Sequence, residues 1–412
     1  MAPDAAGPLV VQKYGGSSVA DAGRITHVAS RIAERAAGGE RIVAVVSAMG
    51  DTTDRLIGLA HEITSAPRPR EMDMLFSTGE AVSSTLLSMA LHELGRDAIS
   101  LSGMQAGIRT DAVFGRARIA DIETARIERE LAAGRIVIVA GFQGASDDFD
   151  ITTLGRGGSD TTAVALAAAL RADRCEIYTD VAGIYTADPR ICPEARPLRD
   201  IGYEEMLELA ATGARVMHAR AVEVGALYGV RILVASSFES DAPGTLIHEE
   251  STMEQADKVR GIAHEQAIAK ITVRGVPDRP GIAAQLFTPL AEAGVSVDTI
   301  VQNASIENLT DMTFTVERGD ADEALRVTEA LLPQIEASEV VADADLGSVS
   351  IVGTGMSTSP GFAARMFRTL FEHGINIELI STSEIRITCI VREAQVGDAV
   401  RALHDAFDLD RE

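Results

Sequence analysis

The sequence contains no tryptophan and only three cysteines, and aromatic residues make up 4% of its 412 residues. Cys175, Cys192 and Cys389 are odd in number and lack the close spacing of metal ligands. This pattern argues against a disulfide framework. We interpret the three as free thiols of a protein in a reducing compartment.

Positive charge is scarce, because 37 Lys and Arg residues face 61 Asp and Glu residues and leave a formal net charge of −24. Such a charge repels the phosphates of nucleic acids and anionic lipids, which makes both poor partners. No apolar run is long enough to span a membrane, and Met1–Val10 lacks the basic and then apolar pattern of a secretion signal. The expected location is the cytoplasm, with no membrane and no nucleic acid as partner.

Short apolar runs alternate with longer amphipathic stretches between Leu9 and about Leu246. The runs with strand-like composition are Leu9–Gln12, Ile42–Val46, Ile136–Ala140, Arg174–Tyr178 and Arg231–Val234. Helix-like segments, such as Thr161–Arg171 and Tyr203–Ala211, lie between them. The alternation predicts an α/β fold with a mainly parallel sheet flanked by helices. The polar stretch His248–Asp257 is interpreted as a linker.

An internal repeat follows the linker. Pro280, Gly281, Ala283, Ala284, Phe287, Leu290 and Gly294 recur, with identical spacing, as Pro360, Gly361, Ala363, Ala364, Phe367, Leu370 and Gly374. In each copy a strand (Ile271–Val273, Val349–Val352) leads through a Pro-Gly turn and an amphipathic helix to a second strand (Val295–Val301, Ile375–Ile380). The repeat predicts a duplicated module of βαβ type.

The segment Val11–Ser18 places a lysine and two glycines directly after the first predicted strand. Glycines let backbone N–H groups approach an anion, and a helix beginning near Ser18 adds its positive dipole end. The segment is not a Walker A loop, and a Gly-Gly pair alone is often a simple turn. Lys13 is the only lysine before the linker, although 34 of the 37 cationic residues are arginine. The placement of this lysine is either due to chance in an arginine-rich chain or indicates a position that requires a compact ammonium group.

The segment Thr152–Thr162 surrounds one arginine with three glycines before an apolar helix. Its free backbone can wrap a small anion, and Arg156 can hold a carboxylate through two parallel hydrogen bonds. Asp160 can cap the helix or bind a metal ion. A third segment, Tyr178–Arg190, leaves a strand at the edge where open α/β sheets bind ligands. There Tyr185 can pack near an adenine and Arg190 can reach a phosphate, unless both are ordinary loop residues.

Taken in order, these segments resemble the aspartate kinases of the amino acid kinase superfamily. The shared features are the lysine-glycine opening, a Ser-Thr-Gly-Glu segment ending at Glu80, a Gly-Arg-Gly-Gly-Ser-Asp loop ending at Asp160, and the Thr-Asp pair at Thr179. The resemblance covers nearly the whole chain and identifies the repeat as two βαββαβ ACT domains. The implied domains are an amino acid kinase domain (1–247), a linker (248–262) and ACT domains over 263–342 and 343–412.

The resemblance implies ATP-dependent phosphorylation of the L-aspartate side chain, the first step toward lysine, threonine and methionine, with ATP and Mg²⁺ as cofactors. Lys13 and Asp160 are the expected catalytic residues. Glu80 is expected to pair with the aspartate ammonium and Arg156 with a carboxylate. The whole expected substrate group is Ser47, Thr53, Glu80, Arg156, Gly157, Gly158 and Ser159. The expected ATP group is Lys13, Tyr14, Gly15, Gly16, Ser17, Thr179, Asp180, Tyr185, Arg190 and Arg215. No separate metal site made only of protein ligands is predicted.

The resemblance also implies effector binding by the ACT domains. The residues concerned are Asp278, Asp298, Gln302, Asn303, Asn376, Ile377, Ser383 and Glu384. Ile282 replaces a glutamate and Ala363 a threonine of the family pattern, which predicts weakened feedback by lysine or threonine. Arg215 replaces a lysine and keeps its charge. Met253 is either a linker residue or the start of a separate regulatory subunit.

Two alternatives stay open at this point. One is a kinase for another carboxylate or related acceptor, although the Glu80–Arg156 pair and the ACT repeats favour an α-amino acid. The other is an amino-acid-sensing paralogue without activity, although retention of Lys13, Arg156 and Asp160 argues against it. Because ACT domains commonly pair across subunits, a homo-oligomer is expected.

Overall fold

The computed structural model describes residues 7–213, 216–239, 242–249, 259–303, 308–356 and 359–411. The chain forms two compact units. The first comprises residues 1–184, 197–211 and 215–253, and the second comprises 185–196, 212–214 and 254–412. Among the described residues, no helix has the length and apolar character needed to cross a membrane.

The helices of the described ranges divide between the two units, with α1 to α7 in the first and α8 to α11 in the second. They are α1 (Ala22–Ala37), α2 (Thr52–Ile63), α3 (Pro69–Glu93), α4 (Ala125–Ala132), α5 (Gly158–Ala169), α6 (Tyr203–Ala211), α7 (Ala219–Tyr228), α8 (Ile282–Glu292), α9 (Ala321–Ile335), α10 (Phe362–Glu372) and α11 (Val396–Ala406).

The strands divide in the same way, with β1 to β12 in the first unit. They are β1 (Leu9–Tyr14), β2 (Arg41–Val46), β3 (Ala98–Leu101), β4 (Ile108–Thr110), β5 (Ile119–Ile122), β6 (Ile136–Ala140), β7 (Gln143–Ala145), β8 (Ile151–Thr153), β9 (Arg174–Thr179), β10 (Asp200–Gly202), β11 (Ile232–Ser236), β12 (Thr245–His248), β13 (Gly261–Pro277), β14 (Ile300–Gln302), β15 (Leu309–Glu317), β16 (Glu339–Val352), β17 (Leu379–Thr382) and β18 (Arg386–Arg392).

The main sheet of the first unit confirms the predicted α/β class. Its strand order is β10-β12-β11-β9-β1-β2-β6-β3. The pairs from β11 to β3 are parallel, and β12 pairs antiparallel with β11. Because β1, β2, β6 and β9 run the same way, the loops that follow them meet at one edge of the sheet. A smaller sheet, in the order β5-β4-β7-β8, leads into the segment after Thr153.

Helix α1 shows how the local sequence builds this layer. Asp21 caps its first turn by accepting a hydrogen bond from Arg24 N at 2.9 Å. Ile25, Val28 and Ile32 follow at helical spacing and are buried in the core beneath the sheet. The apolar stripe therefore fixes which face of α1 meets β1 and β2.

A charged residue lies inside one of the central strands. Glu176 of β9 is 1% exposed and accepts hydrogen bonds from Arg35 and Arg174. Burial alone would raise its pKa, but the two guanidinium groups hold the pKa of this carboxyl below its ordinary value. The network ties β9, which ends at the ATP-site candidate Thr179 and leads directly into Asp180, to α1.

The second unit confirms the predicted duplication. Its six-stranded antiparallel sheet has the order β14-β15-β13-β16-β18-β17. Gly281 and Gly361 precede α8 and α10 with φ angles of 92° and 117°, so the Pro-Gly turn adopts the same left-handed conformation in both copies.

Each copy packs around its own core, and the long strands β13 and β16 run through both copies. The register of β13 shifts after Glu265, and Ala267 has a φ of 62° there. Before the shift, Ile262 joins the core of the second copy, whereas Ile271 and Val273 beyond it join the core of the first.

The second strand of each copy begins later than the sequence indicates. The expected strand Val295–Val301 is β14, which begins at Ile300, and the expected strand Ile375–Ile380 is β17, which begins at Leu379. Val295 and Ile375 are buried directly after the helix-ending glycines. Their apolar character therefore reflects contact with the core before sheet pairing begins.

Candidate active site

A cleft of about 300 Å³ opens within the first unit at the edge where the parallel strands end. It gathers residues from the loops after β1, β2, β6 and β8, from α2 and α3, and from the start of α5. The lining residues are Lys13, Gly16, Ser47, Ala48, Gly50, Thr53, Glu80, Phe142, Gly155, Arg156, Gly157, Gly158, Ser159 and Asp160. Candidates that are widely separated in the sequence therefore meet in one cleft.

Lys13 and Asp160 form an ion pair in this cleft. The distance between Lys13 Nζ and Asp160 Oδ1 is 2.6 Å, and the side chains are 12% and 11% exposed. The pair joins the end of β1 to the first turn of α5, where the helix dipole favours a carboxylate. A compact ammonium group is thereby held beside the glycine loop.

Two close backbone contacts bring the β1 and β2 loops together. Gly50 N donates to Gly16 O at 3.1 Å, and Ser47 N donates to Tyr14 O at 3.1 Å. A Cβ on Gly16 would lie 2.9 Å from Ala48 O, which leaves no space for a side chain. The glycine that the motif analysis singled out is therefore required by the approach of the neighbouring loop.

Glu80 extends from α3 into the cleft and is 3% exposed. Ala48 N donates to its Oε1 at 3.1 Å, whereas its buried Oε2 has no hydrogen-bond partner among the described residues. Burial raises the pKa of this carboxyl to about 7. An acceptor that is buried and unpaired is ready to receive a cationic group from a ligand.

The loop before α5 depends on two glycines with positive φ, Gly155 at 77° and Gly157 at 72°. A Cβ on Gly157 would lie 2.2 Å from Cγ of His218, which packs behind the loop. Arg156 is exposed at the cleft, and none of the described residues forms an ion pair with it. The loop thus presents an available guanidinium group opposite Glu80 and Lys13.

Comparisons with known proteins agree with this geometry. A model of the amino acid kinase family matches residues 8–236, and ACT-domain models match residues 271–333 and 349–407. An aspartokinase of Mycolicibacterium smegmatis is 53% identical, over 97% of this chain and 96% of that protein. The chain belongs to the aspartokinase family. Aspartokinase 2 of Bacillus subtilis is 50% identical over 98% of both chains.

Solved structures of aspartokinases have the same fold. The E. coli aspartokinase III structure in complex with aspartate and ADP has 28% identity and a TM-score of 0.81, covering 97% of this chain and 100% of that one. Its complex with lysine and aspartate has 27% identity and a TM-score of 0.75, covering 97% and 99%.

The other expected ATP residues of this aspartokinase lie in several places. Thr179 ends β9 in the first unit and Asp180 follows it, and Thr179 Oγ1 donates to Asp180 Oδ1 at 3.0 Å. Tyr14 is fully buried and stacks on Tyr178 with ring centroids 5.0 Å apart, so only its backbone faces the loops. Ser17 is exposed beside Gly16.

Three further ATP candidates lie elsewhere in the chain. Tyr185 and Arg190 belong to the second unit, and Arg190 pairs with Asp188 at 2.7 Å. Arg215 lies outside the described residues, as does Met253. These assignments stay predictions.

The expected effector residues occupy corresponding loops of the two ACT copies. Asp278 follows β13, Asp298 precedes β14, Gln302 ends β14 and Asn303 follows it. Asn376 and Ile377 precede β17, and Ser383 and Glu384 form the turn between β17 and β18. Asn376 Nδ2 donates to Glu378 Oε1 at 3.1 Å.

Four residues of the cleft are absent from the expected site residues, namely Ala48, Gly50, Phe142 and Gly155. Phe142 has a φ of 68°, and its N–H donates to Thr162 Oγ1 at 3.2 Å. Gly141 and Phe142 directly follow the apolar strand β6, and that position at the end of a parallel strand is the signal that would have indicated them.

Substitution of Gly157 by alanine tests the loop geometry. We expect a lower Tm and at least a tenfold loss of aspartate-dependent ADP release, because the new Cβ collides with His218 and displaces Arg156. Gly134→Ala is the matched control, since Gly134 has a φ of 78° and a Cβ added there would meet nothing within 4 Å. Both alanines carry the left-handed strain of about 1–2 kcal/mol, so equal effects of the two would contradict the prediction. The double variant Gly157→Ala/His218→Gly should recover part of the activity, because only removal of the His218 Cβ, 2.3 Å from the added atom, together with the ring relieves the collision.

Proposed function

We propose that the protein is an aspartate kinase that transfers the terminal phosphoryl group of ATP to the side-chain carboxylate of L-aspartate. The product is 4-phospho-L-aspartate, at the entry to lysine, threonine and methionine biosynthesis. The observation that carries the proposal is the cleft itself. It sets Glu80, a buried carboxylate with one unpaired oxygen, and the available guanidinium of Arg156 around the Lys13 ammonium. A ligand with an ammonium and carboxylates satisfies all three.

The acceptor needs no general base, since a carboxylate is already ionised at neutral pH. Catalysis then consists of positioning and of neutralising charge on the transferring phosphoryl group. Glu80 would bind the aspartate ammonium and Arg156 a substrate carboxylate, which leaves the attacking carboxylate beside Lys13. The Lys13 ammonium and the Gly15–Gly16 backbone would hold the phosphoryl oxygens, and Asp160 would keep Lys13 oriented through their 2.6 Å pair.

The residues present fit Mg²⁺ bound mainly through nucleotide phosphates. No group of three or more potential protein ligands occurs among the described residues. Mg²⁺ commonly uses one or two carboxylates together with phosphates and water, and Asp160 and Asp180 can supply these carboxylates. When bound, the ion would neutralise phosphate charge.

Removal of the Lys13 ammonium tests the proposal. Purified protein with Mg²⁺-ATP should release ADP with aspartate, much less with glutamate, and none above background without an amino acid. Lys13→Ala should lower kcat by about a hundredfold or more, the usual effect of losing one electrostatic contact to the transition state. Lys13→Arg should not restore turnover, because the planar guanidinium does not fit the space of the ammonium.

Lys270→Ala is the control for this experiment, since Lys270 pairs with Glu378 in the second unit. Absence of aspartate-dependent turnover in the wild-type protein, with ATP still bound, would refute the kinase proposal. It would favour a different acceptor or an amino-acid sensor.

The pH dependence of aspartate use should report the ionisation of Glu80. The pKa of about 7 means that the carboxylate is increasingly protonated below pH 7 and then no longer attracts the substrate ammonium. We expect kcat/KM for aspartate to fall about tenfold from pH 8 to pH 6, as one pKa unit corresponds to a factor of ten. The KM for ATP should change little. Glu80→Gln should lower kcat/KM at pH 8 and flatten this profile, and a wild-type profile that is flat over the range would contradict the assignment.

Effector binding by the ACT repeat is part of the proposal. The two clusters headed by Asp278 and Asn376 would bind lysine or threonine, with weak inhibition because Ile282 and Ala363 lack the polar groups of the family pattern. The ADP-release assay with both amino acids added measures this directly. Strong inhibition at ordinary cellular concentrations would show that these two positions are not decisive. Assembly through the ACT sheets and a cytoplasmic location accompany the proposal, and the three free cysteines support the location.

A further inference from the structure

A buried carboxylate on α3 lies outside the machinery described so far. Asp73 is 0% exposed and accepts hydrogen bonds on both of its oxygens. Gly115 N lies 3.0 Å from both Oδ1 and Oδ2. Thr153 N donates to Oδ2 at 2.8 Å, and Thr153 Oγ1 donates to Oδ1 at 2.7 Å. The donors belong to two separate segments, the turn between β4 and β5 and the last residue of β8.

Burial of a carboxylate is unfavourable unless hydrogen bonds or ion pairs offset the loss of hydration. No cationic side chain among the described residues forms an ion pair with Asp73, so the backbone and hydroxyl donors alone offset its desolvation. An apolar residue in its place would leave the Gly115 N–H, the Thr153 N–H and the Thr153 hydroxyl without this acceptor. The carboxylate therefore acts by holding two segments in one defined position against α3.

The same helix carries Glu80 seven residues further on. Seven residues are about two turns and roughly 10 Å, which places both carboxylates on one face of a rigid helix. Thr153 lies three residues before Arg156. Helix α3 therefore carries two carboxylates with different contacts. Glu80 lines the cleft, and Asp73 holds Thr153, which leads into the Arg156 loop.

The segments that Asp73 holds are joined closely to that loop. Ala117 N donates to Thr153 O at 2.8 Å. The Arg220 guanidinium donates to Leu154 O at 2.8 Å and to Ala117 O at 3.1 Å. A Cβ on Gly155 would lie 2.9 Å from Gly115 O, which leaves little freedom for movement of this loop.

We propose that Asp73 is a positioning residue that fixes Glu80 and the Arg156 loop relative to each other. The ammonium and the non-reacting carboxylate of the acceptor are then held in one place, from which the side chain of aspartate, but not the longer one of glutamate, sets its carboxylate correctly beside Lys13. The inference rests on the proposed function, in which Glu80 and Arg156 bind the ammonium and the non-reacting carboxylate of the acceptor and Lys13 lies beside the reacting carboxylate. The selection acts through geometry, since Asp73 itself is fully buried and does not line the cleft.

The test measures kcat/KM for aspartate and the inhibition constant of glutamate in wild type and variants. The preference for aspartate over glutamate is the product of these two quantities. Asp73→Asn replaces one accepting oxygen with an NH₂ group that faces the N–H or hydroxyl donors. We expect kcat/KM for aspartate to fall at least tenfold. The preference for aspartate over glutamate should also fall at least tenfold, and the KM for ATP should stay within about twofold of wild type. A lower Tm with unchanged preference would overturn the proposal, because it would indicate a structural role alone.

A milder variant pair covers the case in which Asp73→Asn does not fold. Thr153→Val removes only the hydroxyl bond to Asp73 and should weaken the preference, whereas Thr153→Ser keeps the hydroxyl and should retain it. Thr152→Val is the matched control, since the buried Thr152 hydroxyl bonds Thr110 at 2.5 Å and does not contact Asp73. Equal effects of Thr152→Val and Thr153→Val overturn the proposal. If the wild-type protein shows no turnover with aspartate, the proposed function fails first and this inference with it.

Discussion

The ion pair between Lys13 and Asp160 is the interaction on which the arrangement of the cleft depends. It joins the end of the central strand β1 to the first turn of α5, although the two residues are far apart in the sequence. The Gly15–Gly16 loop and the loop that carries Arg156 are thereby oriented toward one another. Because both groups are mostly shielded from solvent, their attraction is screened less than that of a surface pair.

Close contacts at three glycines bring the other elements of the cleft together. Gly16 lies against Ala48 O, Gly157 against His218, and Gly79 of α3 against Ala48, where an added Cβ would be 2.8 Å from the Ala48 Cβ. In each case the absence of a side chain allows two elements to pack closely, and this packing positions a functional group at the cleft. Gly79 lets α3 come close enough for Glu80 to reach Ala48 N, and Gly157 holds Arg156 at the surface of the cleft.

Much of the fold could be predicted from the sequence because it depends on local patterns. The runs at Ile42 and Ile136 are apolar on both faces, as strands covered by helices tend to be, and those at Leu9 and Arg174 are largely so; all four are strands in the structure. The repeated Pro-Gly turn and helix likewise predicted two modules, and the structure shows that the glycines of both turns are left-handed. Glu176 could not be interpreted in this way, because the partners that stabilise its charge, Arg35 and Arg174, are brought to it by the packing of α1 and the position of β9.

The sequence by itself determined which chemical groups are present, namely a compact ammonium beside glycines, an arginine among glycines and a carboxylate ending a Ser-Thr-Gly-Glu segment. Only the tertiary structure decided that Glu80 is buried with one unpaired oxygen and that Asp73 is buried with both oxygens engaged. The physical reason is that desolvation and hydrogen bonding depend on neighbours distant in sequence. Two acidic residues on one helix face therefore differ in role because different segments pack against them.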